Sequence, residues 1–263
     1  MNQSKIWKIY SENGPLVATA IHDGHQLRKE VSELMLLSKE DQLREEDPFT
    51  GGWTTIGNTQ IIGSHSRFEV DLNRPREKAV YQKPEDAWGL DVWKQAPSRE
   101  LVSRSLSEYD AFYKEVYQIF TDLEKRFGHF VIFDLHSYCY RRKGPDGEAA
   151  DPEINPEVNI GTGTMERAKW AGLIDRFIGD LHSFDYNGKK LDVRENIKFK
   201  GGQFSRWVHQ TFPSSACSIS VEFKKFFMDE WSGIPDDQQL EKILLALKST
   251  IPGVLEELKK IDK

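Results

Sequence analysis

Phe130-Val131-Ile132-Phe133-Asp134-Leu135-His136-Ser137 runs through four unbroken apolar residues and then turns polar at an aspartate and a histidine. A continuous apolar run is what a central parallel strand needs, because helices cover both of its faces. The polar residues then fall at its carboxyl end, where open α/β sheets usually hold ligands. Two other stretches repeat the arrangement. Leu16 to Ile21, opened by Gly14-Pro15, leads into His22-Asp23-Gly24-His25, and Ala216 to Glu222 alternates Ile219 and Val221 with Ser218, Ser220 and Glu222.

Working outward, Lys5 to Tyr10 alternates apolar and charged residues and predicts a half-buried edge strand. Leu27, Val31, Leu34 and Leu37 recur at helical spacing, so a helix from Gln26 to Leu37 leaves directly from the two histidines. Residues 43–53, with Pro48, Gly51 and Gly52, predict a loop whose acids Glu45, Glu46 and Asp47 read as a solvated charge run. Short strands are expected at Thr59 to Ile62 and Arg67 to Leu72, and residues 75–97 form a long surface excursion. An aromatic stripe from Leu106 to Phe127 predicts a long core helix within 98–127, stopped by Gly128. Residues 139–158 form a loop, and Asn159 to Thr164 opens a helix running to about Leu181. A tight turn at Lys200-Gly201-Gly202 enters a short helix, and a last helix follows Pro235. The alternation of strands and helices predicts an α/β fold, as one domain over residues 1–263.

A formal net charge of −6 argues against a sequence-independent nucleic-acid binder or a membrane-surface binder, both of which need a basic face. Two cysteines, Cys139 and Cys217, are too few for a disulfide framework. No signal pattern opens the chain and no apolar run is long enough to span a membrane, so a cytoplasmic protein is expected.

If the three strand ends lie on one edge of a parallel sheet, His22, His25 and His136 make a tripod of neutral nitrogens for zinc, leaving a fourth position for water. Zinc so held makes hydroxide available near neutral pH, and Glu222 is the best placed general base. Asn73 and Arg74 can grip a substrate carboxylate, Arg67 can stabilise an oxyanion, and Asp71 can orient a metal-bound histidine. Each residue also has a plainer reading. His22 can be a hydrogen-bonded turn histidine, His25 a helix cap, Asn73-Arg74-Pro75 a charged turn, and Glu222 an exposed strand-edge acid.

Six ordered pieces carry a resemblance. They are Ile21-His22-Asp23-Gly24, Ser66-Arg67-Phe68-Glu69-Val70-Asp71-Leu72-Asn73-Arg74-Pro75, Asp134-Leu135-His136-Ser137, Asn159-Ile160-Gly161-Thr162, Phe199-Lys200-Gly201-Gly202 with Arg206, and Val221-Glu222. The chain resembles the N-formylglutamate amidohydrolase family, related to zinc carboxypeptidases and to the aspartoacylase and succinylglutamate desuccinylase group. The resemblance implies a phosphorylase/hydrolase-like three-layer α/β/α sandwich with a mixed, largely parallel central sheet and one zinc per chain. It also implies His22 and His136 as outer ligands, Asp71 behind a ligand, Asn73 and Arg74 as the α-carboxylate clamp, Arg67 as carbonyl polariser and Glu222 as catalytic carboxylate.

One departure stands out. The relatives have glutamate three residues after the first histidine, where this chain has His25, so the middle ligand is His25 or Asp23. The implied activity is zinc-dependent removal of an N-acyl group, N-formyl above all, from an acidic amino acid such as N-formyl-L-glutamate, with Arg206 reaching the side-chain carboxylate. The alternatives are a deacylase or carboxypeptidase for another N-acyl amino acid or short peptide, and a non-catalytic zinc-binding module. The partner is a small molecule, with neither nucleic acid nor membrane, and the oligomeric state is left open.

Overall fold

In the computed structural model, which describes residues 5–261, the apolar runs form the middle of one mixed sheet. Among the described residues its seven strands are β1 (Trp7–Ser11), β2 (Leu16–Ala20), β3 (Thr59–Gly63), β4 (Phe130–Tyr138), β5 (Val158–Gly161), β6 (Val193–Glu195) and β7 (Ala216–Lys224). Their order is β1-β3-β2-β4-β7-β5-β6. The four strands β3, β2, β4 and β7 are parallel, β1 closes one edge antiparallel to β3, and β5 runs antiparallel to β7.

Helices are α1 (Lys29–Leu34), α2 (Lys39–Glu45), α3 (Thr50–Trp53), α4 (Arg99–Phe127), α5 (Ala171–Ser183), α6 (Gln203–Thr211) and α7 (Asp237–Leu258). Strand alternation sends side chains to two separate cores. Phe130 and Ile132 pack against Phe112 and Phe120 of α4 and Phe204 of α6, whereas Val131, Phe133 and Leu135 pack against Phe177 of α5 and Leu247 of α7. A three-layer α/β/α arrangement follows, with each fully buried side chain such as Phe133 contributing about 2 kcal/mol. The long helix α4 starts where Ser98 accepts the Leu101 N–H and stops at Gly128, whose φ of 73° is left-handed. Among the described residues no helix is long and apolar enough to cross a membrane.

Several local expectations give way to tertiary contacts. The helix expected over 26–37 shrinks to α1, because Gln26 pairs with His65 and Met35 with Trp93. Residues 67–72 form turns rather than a strand, and the Asp71 N–H bonds the Ala79 carbonyl instead of a neighbouring strand. Asn159 to Gly161 belongs to β5, since β6 and β7 pair with it on both sides, and the helix begins only at Ala171. The 75–97 excursion is anchored, with Tyr81, Ala87 and Val92 buried against Val31 and Phe68. Glu45, Glu46 and Asp47 are all buried, so they are not a solvated run.

From β2 the chain turns first to β3 on one side, and later to β4 on the other. A crevice opens where such connections diverge, at the carboxyl ends of β2 and β4. His22 and His136 stand at those two ends.

Candidate functional site

On the face toward α6 the strands change character as they approach this crevice. Val17 gives way to Thr19 on β2, Phe130 and Ile132 to Asp134 and His136 on β4, and Ala216 to Ser218, Ser220 and Glu222 on β7. Parallel register then aligns them: Thr19 pairs with Asp134, and His136 with Glu222. Asp134 accepts from Thr19 Oγ1 at 2.7 Å and from Ser205 Oγ at 3.2 Å, and its Oδ1 lies 3.2 Å from His136 Nε2. The His136 ring is thereby held with Nδ1 facing Asp47, whose Oδ2 is 3.0 Å away.

His22 is held in the same way. Its Nε2 lies 2.8 Å from Asp71 Oδ1, and its Nδ1 lies 3.4 Å from the same Asp47 Oδ2. Asp71 in turn accepts from Arg67 Nη2 at 2.7 Å and from the Tyr81 hydroxyl. His22, Asp47 and His136 are only 2%, 3% and 2% exposed, and one ligand atom from each lies within 4.8 Å of the others.

These groups fit a metal ion. Both Nε2 atoms already face carboxylates, so in the neutral rings the Nδ1 atoms are acceptors, and they face a carboxylate oxygen that is also an acceptor. Such a junction needs protons or a cation. Burial opposes charge on Asp47, yet bonding to His136 and His22 outweighs it and holds the carboxyl well below the usual range. Burial likewise opposes the charge on Asp71, and the Arg67 guanidinium and His22 outweigh it. His136 is pushed well above the ordinary histidine value, because Asp134 and Asp47 overcome its burial. Two imidazoles and one ionised carboxylate are a donor set that zinc takes.

Beside this cluster is a cavity of about 590 Å³ with His22, Asp47, His136 and Glu222 in its wall. Glu222 is pushed up to about 7 by burial, against the pull of His136. Arg44, Arg67, Arg142, Lys198, Lys200 and Lys225 line the same cavity, against the acids Glu45, Asp47 and Glu222. A cationic excess in a chain of net charge −6 favours an anionic ligand.

Most residues singled out in the sequence come together, but Arg206, His25 and Asp23 do not. Arg67 is in the wall; with Asp71, Tyr81 and the Glu45 carbonyl as its partners, it keeps guanidinium N–H groups for a ligand. Asn73 is also in the wall, with Oδ1 accepting the Phe204 N–H at 2.9 Å and Nδ2 lying 3.4 Å from His136 Nε2. Arg74 is outside the wall but joins the network behind it, with its Nε 3.8 Å from Asp71 Oδ2 and its guanidinium over Tyr81 and Trp88 at 5.2 and 5.5 Å. Arg206 is exposed on α6, also away from the wall.

His25 does not join His22 and His136. It is exposed, bonding Glu46 Oε2 through Nδ1 at 2.6 Å, and the three-residue cluster contains Asp47 in its place. Gly24 between the two histidines packs on the backbone of Ser64, so the chain turns there and His25 leaves the crevice. Asp23 is engaged by the Gly51 N–H at 2.9 Å and is likewise outside the cluster. Sequence reading also missed Asp134, which the Asp-Leu-His spacing places on the histidine's own strand face.

No curated protein matches the chain. Among solved structures it is similar to N-formylglutamate amidohydrolase from Ralstonia eutropha JMP134, at 16% identity over 97% of this chain and 98% of that one, with a TM-score of 0.73. It is also similar to a gene product of Agrobacterium tumefaciens, at 17% identity over 97% of each chain, with a TM-score of 0.70. These two likenesses carry the fold. The family model for N-formylglutamate amidohydrolase matches residues 14–227, most of the chain's length, and the chain therefore belongs to the N-formylglutamate amidohydrolase family.

Proposed function

We propose that this amidohydrolase is zinc-dependent and removes an N-acyl group, N-formyl above all, from an acidic amino acid such as N-formyl-L-glutamate. The observation that carries the reading is the convergence of His22 Nδ1, His136 Nδ1 and Asp47 Oδ2 in the wall of a cationic cavity that also contains Glu222. His22, Asp47 and His136 would hold the metal, with Asp47 in the place the sequence gives to His25. A zinc ion bound there supplies Lewis acidity to water and to the scissile carbonyl.

The chain's own residues supply the rest. Glu222 takes a proton from the attacking water and delivers it to the departing amine, so that acyl C–N cleavage yields a carboxylate and an ammonium. Arg67, held by Asp71, offers its remaining N–H groups to the oxygen of the reacting carbonyl. Asn73 and Arg74 serve the α-carboxylate, Arg74 by swinging off Trp88. Among the wall cations, Lys198 and Lys200 replace Arg206 as partners for an acidic side chain.

Metal analysis of the purified protein together with a panel of formyl, acetyl, succinyl and peptide substrates tests the reading. About one zinc per chain and fastest turnover of N-formyl-L-glutamate are expected. A metal-free protein after zinc reconstitution, or equal rates across neutral and acidic acyl amino acids, would overturn it.

A further inference from the structure

Asp47 comes to the cluster from outside the sheet, in the stretch between α2 and α3, where no regular element holds it. Contacts from other segments hold its backbone instead. Lys225, the residue after β7 and only 1% exposed, donates from Nζ to the Arg44 carbonyl at 2.5 Å and to the Glu46 carbonyl at 2.6 Å. The Asp47 N–H donates to the His22 carbonyl at 2.9 Å. One peptide group, between Glu46 and Asp47, is thus pinned through its oxygen by Lys225 and through its nitrogen by His22. Thr50 Oγ1 takes the next carbonyl, that of Asp47, at 2.6 Å.

A buried ammonium is costly unless its donors are all used well. Here its bonds go to two main-chain carbonyls at the end of α2: that of Arg44, which also accepts from the Cys139 thiol at 2.9 Å, and that of Glu46, just past the helix, which has Lys225 as its hydrogen-bond donor. Lysine suits the task because a compact head with three donors can bond two diverging carbonyls. Lys225 also follows Glu222 closely on the same strand end, so one strand presents the proposed base and anchors the segment that delivers Asp47.

We propose that Lys225 is a positioning residue for the metal centre, setting Asp47 against His22 and His136 by binding the carbonyls of Arg44 and Glu46. The idea rests on those three residues being the ligands. Its content is that the third ligand is placed before metal arrives.

Cobalt(II) titration followed by visible absorption tests it on the full chain, for the parent, Asp47→Ala, Lys225→Met and Lys225→Gln. Lys225→Met is expected to bind at least about tenfold more weakly, as for lost partners behind a metal ligand, with its absorption bands displaced toward those of Asp47→Ala. Lys225→Gln, which keeps one donor group, should fall between. A lysine that only stabilised the fold would lower the melting temperature and leave the cobalt spectrum unchanged; that outcome would overturn the proposal alone. A parent that takes up no cobalt would remove the ligand reading itself. If neither variant folds, amide exchange in the metal-free parent decides: Asp47 protected before metal is added supports the proposal, and protection only after metal overturns it.

Discussion

Asp47 and His136 stand 89 residues apart in the chain, and Oδ2 of one lies 3.0 Å from Nδ1 of the other. The same oxygen faces His22 Nδ1, so the carboxylate closes a triangle whose other two corners are strand ends. Two strand ends alone would offer two nitrogens. The third donor completes a set compatible with a metal ion.

Substitutions in the triangle should therefore separate Asp47 from His25. Asp47→Ala, His22→Ala and His136→Ala are each expected to lose the metal, whereas His25→Ala keeps it, measured as zinc per chain by elemental analysis. Asp134→Asn and Asp71→Asn should weaken zinc by about 10–100-fold, since each removes the partner that fixes a ligand's ring. Equal zinc loss in His25→Ala and Asp47→Ala would return the histidine to the ligand set.

Glu222→Gln should retain zinc and lose turnover by about 10²–10⁴-fold, the usual worth of a general base. The sign of the pH dependence follows from its chemistry. Only the carboxylate accepts a proton, and burial raises its pKa to about 7 in the metal-free protein, so activity falls as pH drops through that region. A neighbouring cation favours the carboxylate and moves the acid limb lower. Measured kcat/KM should show one acid limb at or below pH 7, absent from the residual rate of Glu222→Gln.

Selectivity for acidic substrates should depend on the cavity wall and not on α6. Lys198→Ala and Lys200→Ala together are expected to raise KM for N-formylglutamate by about tenfold or more relative to N-formylalanine, as for the loss of a charge-assisted bond. Arg206→Ala should leave that ratio unchanged. Steady-state kinetics on the two substrates would show it, and a loss of selectivity in Arg206→Ala would require the exposed arginine to swing inward.

Acid stability carries a separate signature at His209, outside the cluster of His22, Asp47 and His136. Its Nε2 accepts the Ser218 N–H at 3.0 Å, and its Nδ1 lies 3.1 Å from Thr164 Oγ1, so the neutral ring is the form that fits. Burial lowers its pKa from 6.5 to about 4. The unfolded chain binds a proton below pH 6.5 that the folded chain does not, so stability is full above 6.5 and falls as pH drops toward 4. The shift corresponds to about 3 kcal/mol. Denaturant unfolding of metal-free parent and His209→Gln should show the parent's advantage at pH 7 shrinking by about that amount at pH 4; a pH-independent difference would contradict the assignment.

Much of the site could be read in one dimension because sheets make strand ends coincide. An apolar run covered by helices, followed by a histidine or a glutamate, already says that the polar residue lies at the sheet's carboxyl edge. His22, His136 and Glu222 were legible on that ground, and Arg67, Asp71 and Asn73 from their side-chain chemistry together with the motif resemblance. Asp47 was not. It sits among Glu45, Glu46 and Pro48, where composition alone reads as a solvated loop, and its buried carboxylate meets His136, His22 and Ser137, contacts that no local pattern encodes.

By itself the sequence determined the α/β class, the parallel strands in the middle and the edge at which chemistry gathers, because periodicity and apolar continuity act over a few residues. Only the tertiary structure decided which side chains meet at that edge. His25 leaves because the chain turns at Gly24 against the backbone of Ser64, and Asp47 arrives because a buried lysine and a histidine carbonyl hold its peptide group. Those are contacts between segments distant in the chain, and their geometry exists only once the sheet has brought the segments together.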